Sequence, residues 1–531
     1  MKALLEPIKE IARFDELFRD LKKGTAGVTV ISGCLESQKA HMIAGLSEDA
    51  PVRLLIAENE LKAKELYEDY RLYDAETLYY PAKDLIFYQA DIHGNLLIRQ
   101  RLQVIQALLE RKEVTIITSV GGCMDFLLPL DVFEKHCIHL RNDSELDLDK
   151  IRKELVRLGY ESTFQVESTG QFSVRGGILD IYPLTEQNPI RIELWGDEID
   201  SIRSFDAESQ RSIENLEEIT IYPASELILT EDTIARGVKA IKKEAKAQST
   251  KFRDKMMTEE AARIRHAAEE ICDQIGEGEI LQGAEQYLHY FYPETVSFFE
   301  YLPENSRIFL DEPNRIIECA DALEAEFQES VSHRLEKGYL LPGQAKLMCS
   351  TAELVAKLNR RGCVAVSLME PQKGEWNIRD EFSVTVKSVN SYNNQFPLLV
   401  KDLKSWKKAG YRIVLASPSR TRAQHLAEDL QNEEIPAFYS ENEERVLKPG
   451  EVMLIHGAAR RGFEYPMQKF VLITETDIFG KEKKKNRKKS EYSGQKIQNF
   501  ADLSIGDYVV HESHGLGIYR GIEKIEMDRV T

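Results

Sequence analysis

Gly33 and Lys39 carry the first chemical suggestion in this chain. They close the apolar run Gly27-Val28-Thr29-Val30-Ile31-Ser32, which reads as a buried strand, with the spacing of the phosphate-binding pattern G-x-x-x-x-G-K-[ST]. The chemistry such a loop performs is nucleotide binding: backbone N–H groups cradle phosphates, and a hydroxyl helps to hold magnesium. Here Gln38 replaces the second glycine and Ala40 replaces the Ser/Thr, while Glu36 places a negative charge where a triphosphate would sit. The strand–loop–helix is therefore expected to persist as a degenerate nucleotide site without hydrolysis. An ordinary strand–turn–helix can carry the same glycine and lysine, and the loop alone does not separate the two readings.

A second fragment of the same chemistry stands far along the chain. The run Arg307-Ile308-Phe309-Leu310 is a short apolar strand that ends in Asp311-Glu312, followed by Pro313. Acids at that position hold magnesium and polarise water beside a phosphate loop. They serve equally to open a helix beginning after Pro313, so both readings stand. No catalytic or metal set emerges elsewhere. His511 and His514 have no third ligand nearby, and zinc needs three or four. The 7 cysteines are scattered without a C-x-x-C pair, which suits a reducing compartment.

The elements that must position these residues alternate. Strands at Val52–Ala57 and Val114–Ser119 and helices near Leu61–Tyr73 and Gln100–Arg111 predict a parallel sheet over 1–140. Over 141–226, a helix near Leu148–Leu158 precedes two hairpins of period-two alternation. These run from Phe172 to Tyr182 around Gly176-Gly177 and from Ile190 to Phe205 around Gly196-Asp197, and they predict an inserted α+β domain with one wet face. Residues 227–345 open with an Ala/Lys/Glu/Arg-rich helical stretch, Thr230–Ile275, whose charges read as a solvated face. A further α/β domain is expected over 350–478, with strands at Val364–Leu368, Arg412–Ala416 and Phe470–Thr474. A basic linker (479–500) and a strand-like piece (501–531) follow. With 531 residues, this makes several domains at about 150 residues each. The 89 acidic residues outweigh 70 basic ones, a net charge of −19 that argues against nonspecific coating of nucleic acid, so any DNA contact needs a local patch. No run approaches the ~20 apolar residues of a membrane span, and a cytoplasmic protein is expected.

Several of these stretches resemble a known family. Ala57-Glu58-Asn59-Glu60-Leu61-Lys62-Ala63, Leu108–Val114, Phe172–Asp180, Trp195–Arg203 and Ile221-Tyr222-Pro223-Ala224-Ser225 are similar to the UvrB-homology module of nucleotide excision repair. Ile505–Tyr519 resembles the start of the RNA-polymerase-interacting module of transcription-repair coupling factors. The order of parts is that family's. The resemblance implies a UvrB-like body with a disabled phosphate loop, an inserted domain that docks on UvrA, and the opening of a small Tudor/CarD-like β-barrel that meets the polymerase β subunit. It also implies that the ATP-driven translocase lies beyond residue 531, so that ATP, magnesium and most DNA contact belong to that motor and no cofactor to this chain. In UvrB-like proteins two arginines flank a valine in R-V-R-G. Here the stretch is Ser173-Val174-Arg175-Gly176, so Arg175 is kept and Ser173 replaces its partner, while Glu161 and Ser162 stand where a third arginine is expected. Alternation aims Arg175 outward, free to meet a carboxylate. By the same comparison Ile525 is an apolar contact toward the polymerase. The expected role is recruitment. The alternatives are a UvrB-like ATP-dependent DNA-damage-processing enzyme using Lys39, Asp311 and Glu312, and a polymerase binder acting through 504–531.

Overall fold

Strands scattered over more than 350 residues of chain assemble into one sheet in the computed structural model, which describes residues 2–22, 24–83, 95–276, 284–371, 374–480, 508–511 and 515–518. This body sheet has seven strands, all parallel. In spatial order they are Ile378–Ser383, Val28–Ser32, Cys363–Val366, Arg307–Asp311, Val52–Ala57, Val114–Ser119 and Leu78–Tyr80. Val28–Ser32, Val52–Ala57 and Val114–Ser119 are rich in Val, Ile and Leu and buried along nearly their whole length, as expected where a parallel sheet is covered on both faces.

The expected parallel sheet is thus present, but its edge was drawn too early. Cys363–Val366 pairs with Val28–Ile31 and with Ile308–Asp311, so the strand assigned to the later α/β domain belongs to the body. Ile378–Ser383 extends the same sheet. The second α/β sheet starts only at Lys387–Ser388, and its parallel centre is Phe470–Thr474, Arg412–Ser417, Val452–His456 and Ala437–Tyr439. The reason is physical. Val364 and Val366 join the core on one face of the sheet and Cys363 and Ala365 the core on the other, a two-sided burial that the position between Val28–Ser32 and Arg307–Asp311 supplies.

The insert leaves and re-enters the body through paired strands, Ile138–Arg141 against Glu218–Ile221. Its six-stranded sheet runs Ser212–Leu216, Glu198–Phe205, Ile190–Trp195, Ile178–Ile181, Gln171–Arg175, Glu161–Ser162. The Leu148–Arg157 helix covers one face, where Ile151 and Leu155 join Phe172, Leu179, Ile181, Ile190 and Ile192 in the core. The other face is polar, as the alternation predicts.

Where the insert returns, Arg101 is wholly buried and binds across the junction. Its Nε donates to Glu226 Oε1 at 2.6 Å and its Nη1 to the Pro81 carbonyl at 2.8 Å, and the guanidinium lies 4.1 Å from the Tyr80 ring centre. Asp125 sits 3.2 Å from Arg101 Nη1, and Lys83 contacts Glu226. Burial alone would raise Glu226, but Arg101 and Lys83 outweigh it and hold the carboxyl down at about 2.

The helical stretch 230–275 resolves into two helices, Glu231–Asp254 and Thr258–Gly276. They pack antiparallel, with Ser249 Oγ donating to the Ala261 carbonyl. Residues 481–531 form a separate unit. Within it Tyr508–His511 pairs antiparallel with Gly515–Ile518. The basic run 481–489, Ile525 and the rest of the expected barrel lie outside the described residues.

Candidate functional site

The link from Ser32 to the next helix is only Gly33-Cys34-Leu35, because the helix already begins at Glu36. The amides of Gln38 and Lys39 donate to the Leu35 carbonyl at 2.8 and 3.1 Å, so they close the first helical turn. Gly33 has φ +80°, and a Cβ there would stand 2.2 Å from the Val384 carbonyl oxygen. Its glycine is thus needed for the close passage of the segment following Ile378–Ser383.

Lys39 and the Asp311-Glu312 pair, 272 residues apart in sequence, meet. Lys39 Nζ donates to Asp311 Oδ1 at 2.6 Å, to Glu312 Oε1 at 2.7 Å and to Glu36 Oε1 at 2.7 Å. The lysine side chain is 1% exposed. Burial disfavours its ammonium, but Asp311 and Glu36 outweigh that cost and its pKa rises above the ordinary lysine value. Burial pushes Asp311 up to about 6 against the pull of Lys39. Glu312 caps nothing with its side chain. It adopts φ +57°, opens the Pro313–Glu336 helix through its backbone alone, and its Oε1 accepts from Lys39 and from the Leu368 amide at 2.9 Å. Cys34, fully buried beside this group, is pushed up to about 12 by burial and is no nucleophile.

Gln38 and its neighbours face the second α/β sheet. Gln38 Nε2 donates to the Tyr465 hydroxyl oxygen at 2.5 Å, and Ser37 Oγ donates to the Gly462 carbonyl at 3.1 Å. His41 continues the chain of contacts. Its Nδ1 lies 3.2 Å from the Tyr465 hydroxyl and its Nε2 2.7 Å from the Leu4 carbonyl, among the rings of Tyr73, Phe463, Tyr465 and Phe470. Burial lowers its pKa to about 4, so the ring is neutral. Ala40 is buried as well. Arg460, donating to both carboxylate oxygens of Asp69 at 2.8 and 2.9 Å, fastens the same interface.

On the polar face of the insert, Arg175 is not free. Its Nη2 donates to Asp180 Oδ2 at 2.7 Å, and Arg191 grips the same carboxylate at 2.7 and 2.9 Å. Asp180 is 1% exposed and Arg175 38%. Ser173, directly opposite Asp180 in the strand register, is buried, and its Oγ donates to the Phe164 carbonyl at 2.8 Å. Of the two positions expected to dock a partner, only Arg175 reaches solvent. Glu161 and Ser162 form the exposed edge strand beside it. Sequence reasoning missed two aromatics nearby. Phe164 is 83% exposed with Arg175 5.9 Å from its ring centre, and Trp195 is 85% exposed at the turn adjoining Gly177. Their signal was a large apolar residue interrupting a polar face.

The fold and this surface define the class first: a multi-domain α/β protein whose residues 138–227 match the model of the UvrB interaction domain. Residues 503–531 match the CarD-like/TRCF RID domain. Along nearly the whole chain, the sequence is similar to proteins named transcription-repair-coupling factor. That of Bacillus subtilis (strain 168) is 32% identical over 534 residues, covering 97% of this chain and 45% of the relative. That of Staphylococcus aureus (strain USA300) is 30% identical over 541 residues, covering 99% and 44%. The chain is therefore similar to the N-terminal half of proteins named transcription-repair-coupling factor and spans about half the length of the curated relatives it matches. Among the described residues, no helix is long and apolar enough to cross a membrane.

Proposed function

We propose that this chain is the recruitment region of a cytoplasmic transcription-repair coupling factor: a docking body that binds UvrA and brings excision repair to a stalled RNA polymerase, without hydrolysing ATP itself. The observation that carries this reading is the Lys39 ammonium, enclosed by Glu36, Asp311 and Glu312. In a working phosphate loop that charge faces the β and γ phosphates, and the acids face magnesium. Here the acids have taken the lysine as their cation. The helix consumes the amides that would cradle phosphate, and Gln38 and Ala40 are committed to packing. The residues present do not fit Mg-nucleotide.

With the engine closed, the chain acts through its surfaces. The UvrA-docking surface is the outer face of the insert, where Arg175 stands between Phe164 and the Gly177 turn beside Trp195. Aromatic and arginine side chains of this kind are what concentrate binding energy at interfaces. The 503–531 module, through Ile525, is assigned to the polymerase β subunit. The test pairs two assays on the full chain. UvrA is expected to co-elute with it and to lose at least tenfold in affinity on Arg175→Ala. ATP turnover is expected to stay at buffer background with and without Lys39→Ala. Turnover that disappears on Lys39→Ala would establish the UvrB-like enzyme instead.

A further inference from the structure

The Lys-rich segment, read from sequence as a solvated face, has an uneven charge distribution once folded. Between Asp232 and Asp254 the exposed positions of the first hairpin helix are Ala235, Arg236, Lys239, Lys242, Lys243, Lys246, Ala247, Thr250, Lys251 and Arg253, with no acid among them. The only carboxylate in that stretch, Glu244, is turned inward, where it accepts from the Tyr290 hydroxyl and, at 3.1 Å, from the Gly343 amide. None of these seven cations makes an ion pair among the described residues, in a chain whose net charge is −19.

The geometry is a stripe. At 100° per residue, Arg236, Lys239, Lys242, Lys243, Lys246 and Arg253 fall within an arc of about 120°, and at 1.5 Å per residue they span about 25 Å. The opposite arc, Gly237, Ile241, Ala245, Ser249 and Phe252, is buried. Gly237 lets the helix seat tightly, since a Cβ there would stand 2.1 Å from the Phe291 ring. The neighbouring Thr258–Gly276 helix carries charges of both signs, with Arg265 lying 3.9 Å from Glu269. The basic face ends at that boundary.

We propose that this stripe docks the phosphate backbone of duplex DNA. Charge complementarity selects a polyanion, and a duplex presents one negative charge per ~1.7 Å of axis, so about 25 Å of helix meets a comparable length of backbone. Between the exposed acids Asp232 and Asp254, which bound the stripe at its two ends, the other exposed residues on the arc or at its border, Ala235, Thr250 and Ala247, are small and leave a smooth surface that a cylinder can approach. The same residues argue against other occupants. Single-stranded nucleic acid needs aromatic stacking platforms. A bilayer surface needs apolar anchors beside the cations, and a protein partner needs buried aromatic or aliphatic hot spots. The arc offers none of these.

The stripe lies on the Glu231–Asp254 helix, separate from the UvrA surface proposed on the insert. The test measures binding of the full chain to a fluorescent 20-base-pair duplex by anisotropy across a NaCl series. It compares wild type with Lys239→Glu/Lys243→Glu/Lys246→Glu, and with the milder Lys239→Gln/Lys243→Gln/Lys246→Gln should the first fail to fold. The expected result is at least a tenfold loss of affinity near 0.1 M salt and a salt slope reduced by about 0.9 for each phosphate contact removed. An unchanged slope and affinity would overturn the proposal. So would tighter binding to phosphatidylserine vesicles than to the duplex, or binding lost only when the 481–489 basic run is neutralised.

Discussion

Lys39 and Asp180 sit at the centres of opposite charge clusters. Around Lys39, three carboxylates surround one buried ammonium. Around Asp180, two arginines share one buried carboxylate. The first cluster is sealed: its cation is inaccessible and every donor is used within the chain. The second carries surplus positive charge, and the surplus member, Arg175, reaches solvent beside an exposed aromatic. A sealed cluster holds a fold in register, whereas an overcharged, half-open one presents a guanidinium already oriented for a partner's carboxylate. The contrast separates a cluster closed within the fold from one that reaches solvent.

That contrast makes graded predictions. Lys39→Met leaves Asp311 and Glu312 without their cation, while Glu36 keeps Lys62, and should lower unfolding free energy by about 3–5 kcal/mol in urea titration. Adding Asp311→Leu should restore much of it, because the charge is then removed together with its partner. If Lys39→Met is neutral, the cluster is not sealed. His41, on the same helix, extends the closed side. Its pKa is depressed to about 4, so it contributes stability above pH 6.5 that is lost as pH falls toward 4. Relative to His41→Gln, the wild type should lose up to about 3 kcal/mol over that window, read from paired denaturation curves. Asp180→Asn should cost about 2 kcal/mol and loosen the insert alone, visible as faster amide exchange in its strands. Arg175→Ala should change stability by less than about 1 kcal/mol while weakening UvrA binding, the signature of the open cluster. A stability loss as large as that of Lys39→Met would place Arg175 in the architecture as well.

Much of the frame was legible in sequence. Val52–Ala57, Val114–Ser119, Ile190–Trp195 and Glu198–Phe205 appear where the apolar runs and alternation put them, since burial on one or two faces leaves a strong periodic trace. Sheet membership was not legible for Cys363–Val366, because a run buried on both faces does not specify its neighbours. Ile378–Ser383 escaped notice as a strand because Arg379, Asp380 and Glu381 mask its pattern at a sheet edge. At the candidate site, the substitutions at Gln38 and Ala40 read as losses. What Gln38 does instead, donating to the Tyr465 hydroxyl, depends on a residue 427 positions away in sequence, and Ala40 is simply buried in the core. Arg175 was read as free although Asp180 lies on the adjoining strand and the same face, a pairing the hairpin register contained.

The Arg101–Glu226 junction gives the insert a fixed handle. A guanidinium locked to Glu226, the Pro81 carbonyl and the Tyr80 ring cannot slide without stripping a buried charge of its partners, so the insert is mounted rather than hinged. The same handle reaches the body sheet through Tyr80, whose carbonyl accepts from Thr118 Oγ1 on the neighbouring strand, so the end of the insert is tied to the sheet's edge.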